Sequence, residues 1–306
     1  MKKGLFESST PLSQLILSLA VMVTSVLLLS FIGILFAPLV AGISFPDFVT
    51  RLGDGSINSH LPFMRYLQTI QSISLFIIPA FLLGYLFSGN IAKYFTLKQA
   101  IPLKWFVFVF LLMVSIVPVI NLLVLLNEIM IPAGFTWIHD REAAAEQLTR
   151  LFLHTDTAGG LLFNIFMIGM LPALGEELIF RGIIQKIFTR WTGNTHAAII
   201  ISGFLFSAMH FQFYGLIPRW LLGVLFGYLL VWSGSIWLPV FAHFVNNTMA
   251  VIVAYFSYRL DLPEDIADYG AAVDALPVTV ALTAVCALLL WKVKRECGIF
   301  YRPVNQ

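Results

Sequence analysis

The sequence predicts an all-α fold: a polytopic transmembrane helical bundle of about eight spans around a buried polar site. Three observations predict it. Of the 306 residues, 59% are hydrophobic and only 11% are charged, whereas a soluble globular chain carries about 25% charged residues. Apolar runs of about 20 residues, the length that crosses a hydrocarbon core, recur along the chain. One of these runs contains Glu176, Glu177 and Arg181. A charge at the centre of a spanning helix costs roughly 2.5–3.5 kcal/mol on insertion scales, so such residues face a bundle interior.

The expected spans are 14–41, 67–88, 105–127, 160–189, 196–212, 216–232, 236–257 and 276–292. The first follows Lys2 and Lys3. At about 28 residues it exceeds the 7–15-residue apolar core of a cleaved signal peptide, and it reads as an uncleaved span. The second and third are clean apolar runs. The fourth, fifth and seventh carry the polar residues of interest. Between the third and fourth, residues 141–153 (REAAAEQLTRLFL) put Leu148, Leu151 and Phe152 on one side of a short amphipathic helix. That helix is either a lid near the site or a packing element of an external loop. Cys286, in the last span, reads as a packed core residue. With Cys297 it makes too few cysteines for a disulfide framework, and the two match no zinc spacing. No internal repeat or long linker divides the chain. Residues 1–306 therefore read as one membrane domain, with its polar chemistry in 160–250.

Basic residues orient the bundle. One set of connections holds Lys93, Lys98, Lys104, Lys186, Arg190, Lys292, Lys294, Arg295 and Arg302; the opposite set holds Glu128, Asp140, Glu142, Glu146, Asp156, Asp261, Glu264, Asp265, Asp268 and Asp274. The expectation is a multi-pass protein of the cell (inner) membrane with both termini cytoplasmic. A net charge of +2 gives no reason to expect nucleic acid.

On a helix, Glu177 and Arg181 are i,i+4 with the acid first, the favourable order for an ion pair. Glu176 points about 100° away and lacks that partner. Glu177 therefore reads as structural, and Glu176 as a carboxylate free for general-base work. His210 closes the fifth span. His243 and Asn247 share one face of the seventh, with Asn246 nearby. Counted at 1.5 Å per residue from the helix ends, Glu176 and His210 each lie about 21 Å into the membrane. His243 reaches that level if residues 235–239 enter extended, at roughly 3.3 Å per residue.

Glu176, His210, His243 and Asn247 at one depth suggest hydrolysis of a protein or peptide substrate at the membrane. Glu176, His210 and His243 could hold one divalent metal such as zinc, with an open position for water. A metal-free arrangement is the alternative: Glu176 takes the water proton, His210 orients the water, and His243 with Asn247 stabilises an oxyanion. There is no HExxH and no GxSxG. Two other classes compete, a non-catalytic membrane scaffold or bacteriocin-immunity factor and an ion- or proton-coupled transporter. The transporter predicts repeats that the sequence lacks.

These residues also carry a resemblance. GEELIFRG at 175–182 resembles the EExxxR motif of the CPBP family (CAAX protease and bacteriocin-processing), which includes the CAAX prenyl endopeptidases. Phe206 to His210 is similar to its FxxxH motif, and His243 to Asn247 to its HxxxN motif. All three occur in order within 160–250. The resemblance implies an intramembrane endopeptidase with Glu176 as the water-activating residue. His210, His243 and Asn247 would complete the site, and Glu177 and Arg181 the first motif. It leaves metalloprotease and metal-free glutamate mechanisms both open, and it does not carry over a substrate.

Overall fold

A computed structural model describes residues 3–56, 60–261 and 276–300. The helices in chain order are α1 (Pro11–Ala41), α2 (Phe45–Gly53), α3 (Leu61–Ser88), α4 (Ile91–Tyr94), α5 (Leu103–Ile129), α6 (Thr136–Leu153), α7 (Ala158–Thr192), α8 (Thr195–Ala208), α9 (Leu216–Ser233), α10 (Trp237–Arg259) and α11 (Leu276–Phe300). No strand occurs among the described residues. Seven of the helices, α1, α3, α5, α7, α9, α10 and α11, are long and apolar enough to cross a membrane. Their outer faces leave Leu27, Phe31, Phe110 and Leu288 exposed, a surface suited to lipid rather than water.

The expected fifth span is the exception. Residues 196–212 do not form one long helix; α8 ends at Ala208, after about 21 Å of rise. Phe211 then adopts a φ of +51°, a left-handed conformation that a bulky residue rarely takes and that breaks the helix. The chain turns back through residues 209–215 into α9. Positive-φ glycines close the other turns: Gly193 ends α7 and Gly234 ends α9, as left-handed C-caps do.

Helix α7 packs in the first of two hydrophobic cores. Leu178, Ile179 and Ile183 pack with Phe76, Leu83, Phe95 and Phe206. Across the bundle, Leu222 and Phe226 of α9, Ala242 of α10 and Leu112 of α5 form a second core with Cys286 and Val293. Cys286 is buried there, as expected. Helices α8 and α9 meet at two glycines. A Cβ on Gly223 would lie 2.8 Å from the Gly203 Cα, so only small residues permit this approach.

The folded chain keeps the charge asymmetry of the sequence. At one end, Arg190 reaches Gln14, Trp237 Nε1 donates to Leu97 O at 2.9 Å, and Lys104 pairs with Glu296. At the other end lie α6 and the 209–215 turn. Of the acidic expectations, 262–275 lies outside the described residues.

Candidate active site

Glu176 and Glu177 of α7 sit between two wide π-turns, Ile165–Met170 and Phe180–Ile184, and Arg181 lies within the second. Such turns recur at functional sites because they re-aim side chains and loosen the backbone ladder. Pro172 follows the first, in the opening turn of the segment that carries both acids. At the second, Ser202 of α8 donates to Phe180 O at 3.0 Å and locks α8 against α7.

Glu177 and Arg181 are wholly buried, and Arg181 Nη1 donates to Glu177 Oε1 at 2.8 Å. Arg181 Nη2 donates to Gly223 O at 2.9 Å, the carbonyl brought close by the glycine contact of α8 and α9. Its guanidinium also lies 4.5 Å from the Phe206 ring centre and 5.3 Å from that of Phe226, where ring faces attract the cation. The buried cation thus has charge, carbonyl and aromatic partners.

The same Glu177 oxygen takes a second hydrogen bond, from His243 Nδ1 at 2.8 Å. Phe226 stacks on the His243 ring at 5.3 Å, and Phe206 meets it edge-on at 5.6 Å. Helix α10 begins at Trp237, so residues 235–239 do not enter extended as expected. Pro239 is accommodated in the first turn, where its missing N–H costs nothing. His243 nevertheless meets α7.

His210 Nδ1 donates to Phe206 O at 2.8 Å, which leaves Nε2 as the acceptor nitrogen. That Nε2 faces Glu176 Oε2 at 3.9 Å, too far for a direct hydrogen bond. Glu176 Oε2 has no hydrogen-bond partner in the protein. On α10, Asn247 Nδ2 donates to Ile168 O at 3.1 Å, within the first π-turn. Its second N–H remains, and Asn246 Nδ2 lies 3.3 Å from its Oδ1.

Glu176, His210, His243 and Asn247 all line one cavity of about 580 Å³. Sequence reasoning missed two parts of it, Arg219 and Phe226. Arg219, an arginine at the start of an apolar span, also lines the cavity, and its Nη2 donates to Gln212 Oε1 at 2.8 Å. Phe226 carried no polar signal. Helix α6 contributes Leu148, Thr149 and Phe152 to the cavity wall, the lid position. It is tied down at both ends: Glu142 accepts from Phe213 N, Arg141 Nε donates to Phe211 O at 2.8 Å, and Arg65 Nη2 donates to Phe152 O at 3.0 Å.

The expected metal set is not assembled. Among the described residues, no three His, Cys, Asp or Glu side chains are placed to hold a metal ion. His243 gives Nδ1 to Glu177, which leaves Nε2 as its other ring nitrogen.

Comparison with known proteins covers the same region. Residues 158–249 match the family model of type II CAAX prenyl endopeptidase Rce1-like proteins. The chain is similar to three Bacillus subtilis (strain 168) proteins. YpbD is 29% identical over 93 residues, which is 28% of this chain and 43% of YpbD. SkfC, a sporulation-killing factor biosynthesis protein by name, is 33% identical over 95 residues, 29% of this chain and 19% of SkfC. YdiL, by name a candidate membrane peptidase, is 36% identical over 78 residues, 26% of this chain and 32% of YdiL. The chain thus spans less than half the length of each of these relatives. No solved structure matches it.

Proposed function

We propose that this multi-pass membrane protein, whose residues 158–249 match the family model of type II CAAX prenyl endopeptidase Rce1-like proteins, is an intramembrane endopeptidase in which Glu176 activates water. The observation that carries the proposal is the pairing of two unsatisfied acceptors across one cavity. Glu176 Oε2 and His210 Nε2 face each other at 3.9 Å, and both accept hydrogen bonds. A water held by both gives one proton to Glu176 and one hydrogen bond to His210. Its oxygen lone pair is then directed at a substrate carbonyl carbon.

The remaining groups serve the charge that develops. As the water oxygen bonds to carbon, the carbonyl oxygen becomes an oxyanion. Asn247 has one Nδ2–H to donate to it. His243 lines the same cavity, its ring held by the hydrogen bond from Nδ1–H to the Glu177 carboxylate. Glu177 and Arg181 are positioning residues in this scheme. In the second half, the proton on Glu176 passes to the leaving amine nitrogen, the C–N bond breaks, and Glu176 returns as a carboxylate. Donors fixed in place before the reaction supply most of such stabilisation. No step passes through a metal: among the described residues the side chains do not converge as a three-donor set.

The substrate is a protein or peptide whose scissile bond reaches bilayer depth, and the lipid bilayer is the second partner. The basic end of the bundle, with both termini, faces the cytoplasm at the cell membrane. The test is cleavage by purified protein of farnesylated and unmodified peptides, read by mass spectrometry. Wild type should release fragments and Glu176→Gln should release none. A Glu176→Gln protein that cleaves as wild type sinks the proposal. A folded wild type that cleaves no peptide supports the scaffold reading instead.

A further inference from the structure

A second cavity, of about 700 Å³, opens at the basic end of the bundle and shares no residue with the first. One face of α7 forms its polar wall. Gln185, Lys186, Thr189 and Arg190 line it, at the three- and four-residue spacing that stacks side chains along a helix. Phe95, Leu230, Trp232 and Ile236 supply an apolar wall opposite.

The charge in this cavity is unbalanced. Its lining holds two cations and no carboxylate. Lys186 Nζ donates to Tyr94 O and lies 4.3 Å from the Tyr94 ring centre and 5.8 Å from that of Phe95. Arg190 donates to Gln14 Oε1 at 2.8 Å and Ser9 O at 3.2 Å. These partners are all neutral. Gln185 adds a second, independent feature: its side chain is 3% exposed, and its carboxamide oxygen has no hydrogen-bond partner. A buried acceptor left so is costly until a donor reaches it.

Depth identifies the kind of ligand. Trp191, Trp232 and Trp237 gather at this end of the bundle, and tryptophan is enriched at the headgroup level of a membrane. Basic pockets between spanning helices at that level take anionic headgroups. We infer that this cavity binds an anionic phospholipid with a hydroxylated headgroup, of the phosphatidylglycerol class. The phosphate lies between Lys186 and Arg190 beside the Thr189 hydroxyl, a headgroup hydroxyl donates to Gln185, and an acyl chain follows the wall of Leu230, Trp232 and Ile236. A free phosphate would satisfy the cations but not the apolar wall or the Gln185 acceptor. The inference rests on the chain lying in a bilayer and is independent of the peptidase reading.

The experiment uses the full-length protein in detergent, with native mass spectrometry and thermal unfolding as readouts. The probes are dioctanoyl-phosphatidylglycerol, dioctanoyl-phosphatidylcholine and inorganic phosphate. Phosphatidylglycerol should bind at least about tenfold more tightly than phosphatidylcholine, a difference these readouts resolve, and inorganic phosphate should not stabilise the protein. Lys186→Met and Arg190→Gln should each remove the preference. Lys186→Arg should keep it, as should Lys104→Gln, which lies at the same end outside the cavity. Should Lys186→Met not fold, Arg190→Gln carries the test. Equal binding of the two lipids overturns the inference. So does stabilisation by phosphate alone, which would assign a soluble anion, or equal loss in Lys104→Gln, which would reduce the effect to a diffuse basic surface.

Discussion

His243 Nδ1 lies 2.8 Å from Glu177 Oε1, the same oxygen that receives the hydrogen bond of Arg181 Nη1 at 2.8 Å. One carboxylate oxygen thus fixes both a buried cation on its own helix and the ring of a histidine on α10. The neighbouring acid, Glu176, makes neither contact. Adjacent residues of one type therefore have separable duties, set by the 100° step between them on the helix.

The two acids should fail differently. Glu177→Gln leaves Arg181 buried without a counter-charge, a loss of about 3–5 kcal/mol, and frees the His243 ring. Both thermal stability and cleavage should fall. Glu176→Gln should abolish cleavage with the unfolding temperature near that of wild type. Thermal unfolding in detergent compares them directly, and a Glu177→Gln protein as stable as wild type would contradict the pairing argument.

His210 and His243 should behave as one unit in activity. Both rings line the Glu176 cavity, and groups that act on one water and one oxyanion are strongly non-additive. Replacing either by Ala should remove measurable cleavage, and replacing both should do no further harm. If each variant retained partial activity and the two losses simply multiplied, the histidines would be independent packing residues.

Asn247→Ala should lower kcat by roughly 10²–10³, the cost of one oxyanion donor, with a smaller effect on KM. Its Ile168 contact offers a control. Asn247→Asp keeps the shape but replaces the donating amide with an acceptor, and it should lose as much activity as the alanine variant. A rate matching wild type in either would remove Asn247 from the chemistry.

What the sequence disclosed follows from what leaves a mark on it. Seven of the eight expected spans recur as long apolar helices, because length and hydropathy are local properties. The i,i+4 spacing showed the Glu177–Arg181 pair for the same reason. The end of α8 was not legible: no glycine or proline marks a stop between Gly203 and Gly215, and the chain turns at the left-handed Phe211. The His243–Glu177 hydrogen bond joins residues 66 positions apart, a tertiary contact that no spacing rule encodes. Arg219 was visible as a charge in an apolar run but lacked a partner in sequence. The role of Phe226, a ring stacked on His243, depends on α9 lying against α10.

The contact of α8 with α9 should be intolerant of a single methyl group. A Cβ at Gly223 would meet the Gly203 Cα at 2.8 Å, the Gly203 carbonyl oxygen at 3.0 Å and Arg181 Nη2 at 3.2 Å. Two of these are backbone atoms, so the helices must part rather than a side chain swing aside. Overpacking of this kind costs about 1–3 kcal/mol. Parting the helices also moves Gly223 O away from Arg181, and through Arg181 it disturbs Glu177 and His243. Gly223→Ala should therefore lower both the unfolding temperature and the cleavage rate, although residue 223 lies outside the lining of the catalytic cavity. Gly159→Ala is the matched control, since a Cβ there meets nothing within 4 Å. In the first turn of α7 it should be neutral or stabilising by up to about 1 kcal/mol. A Gly223→Ala protein with wild-type stability and activity would show that the glycine contact does not hold the site together.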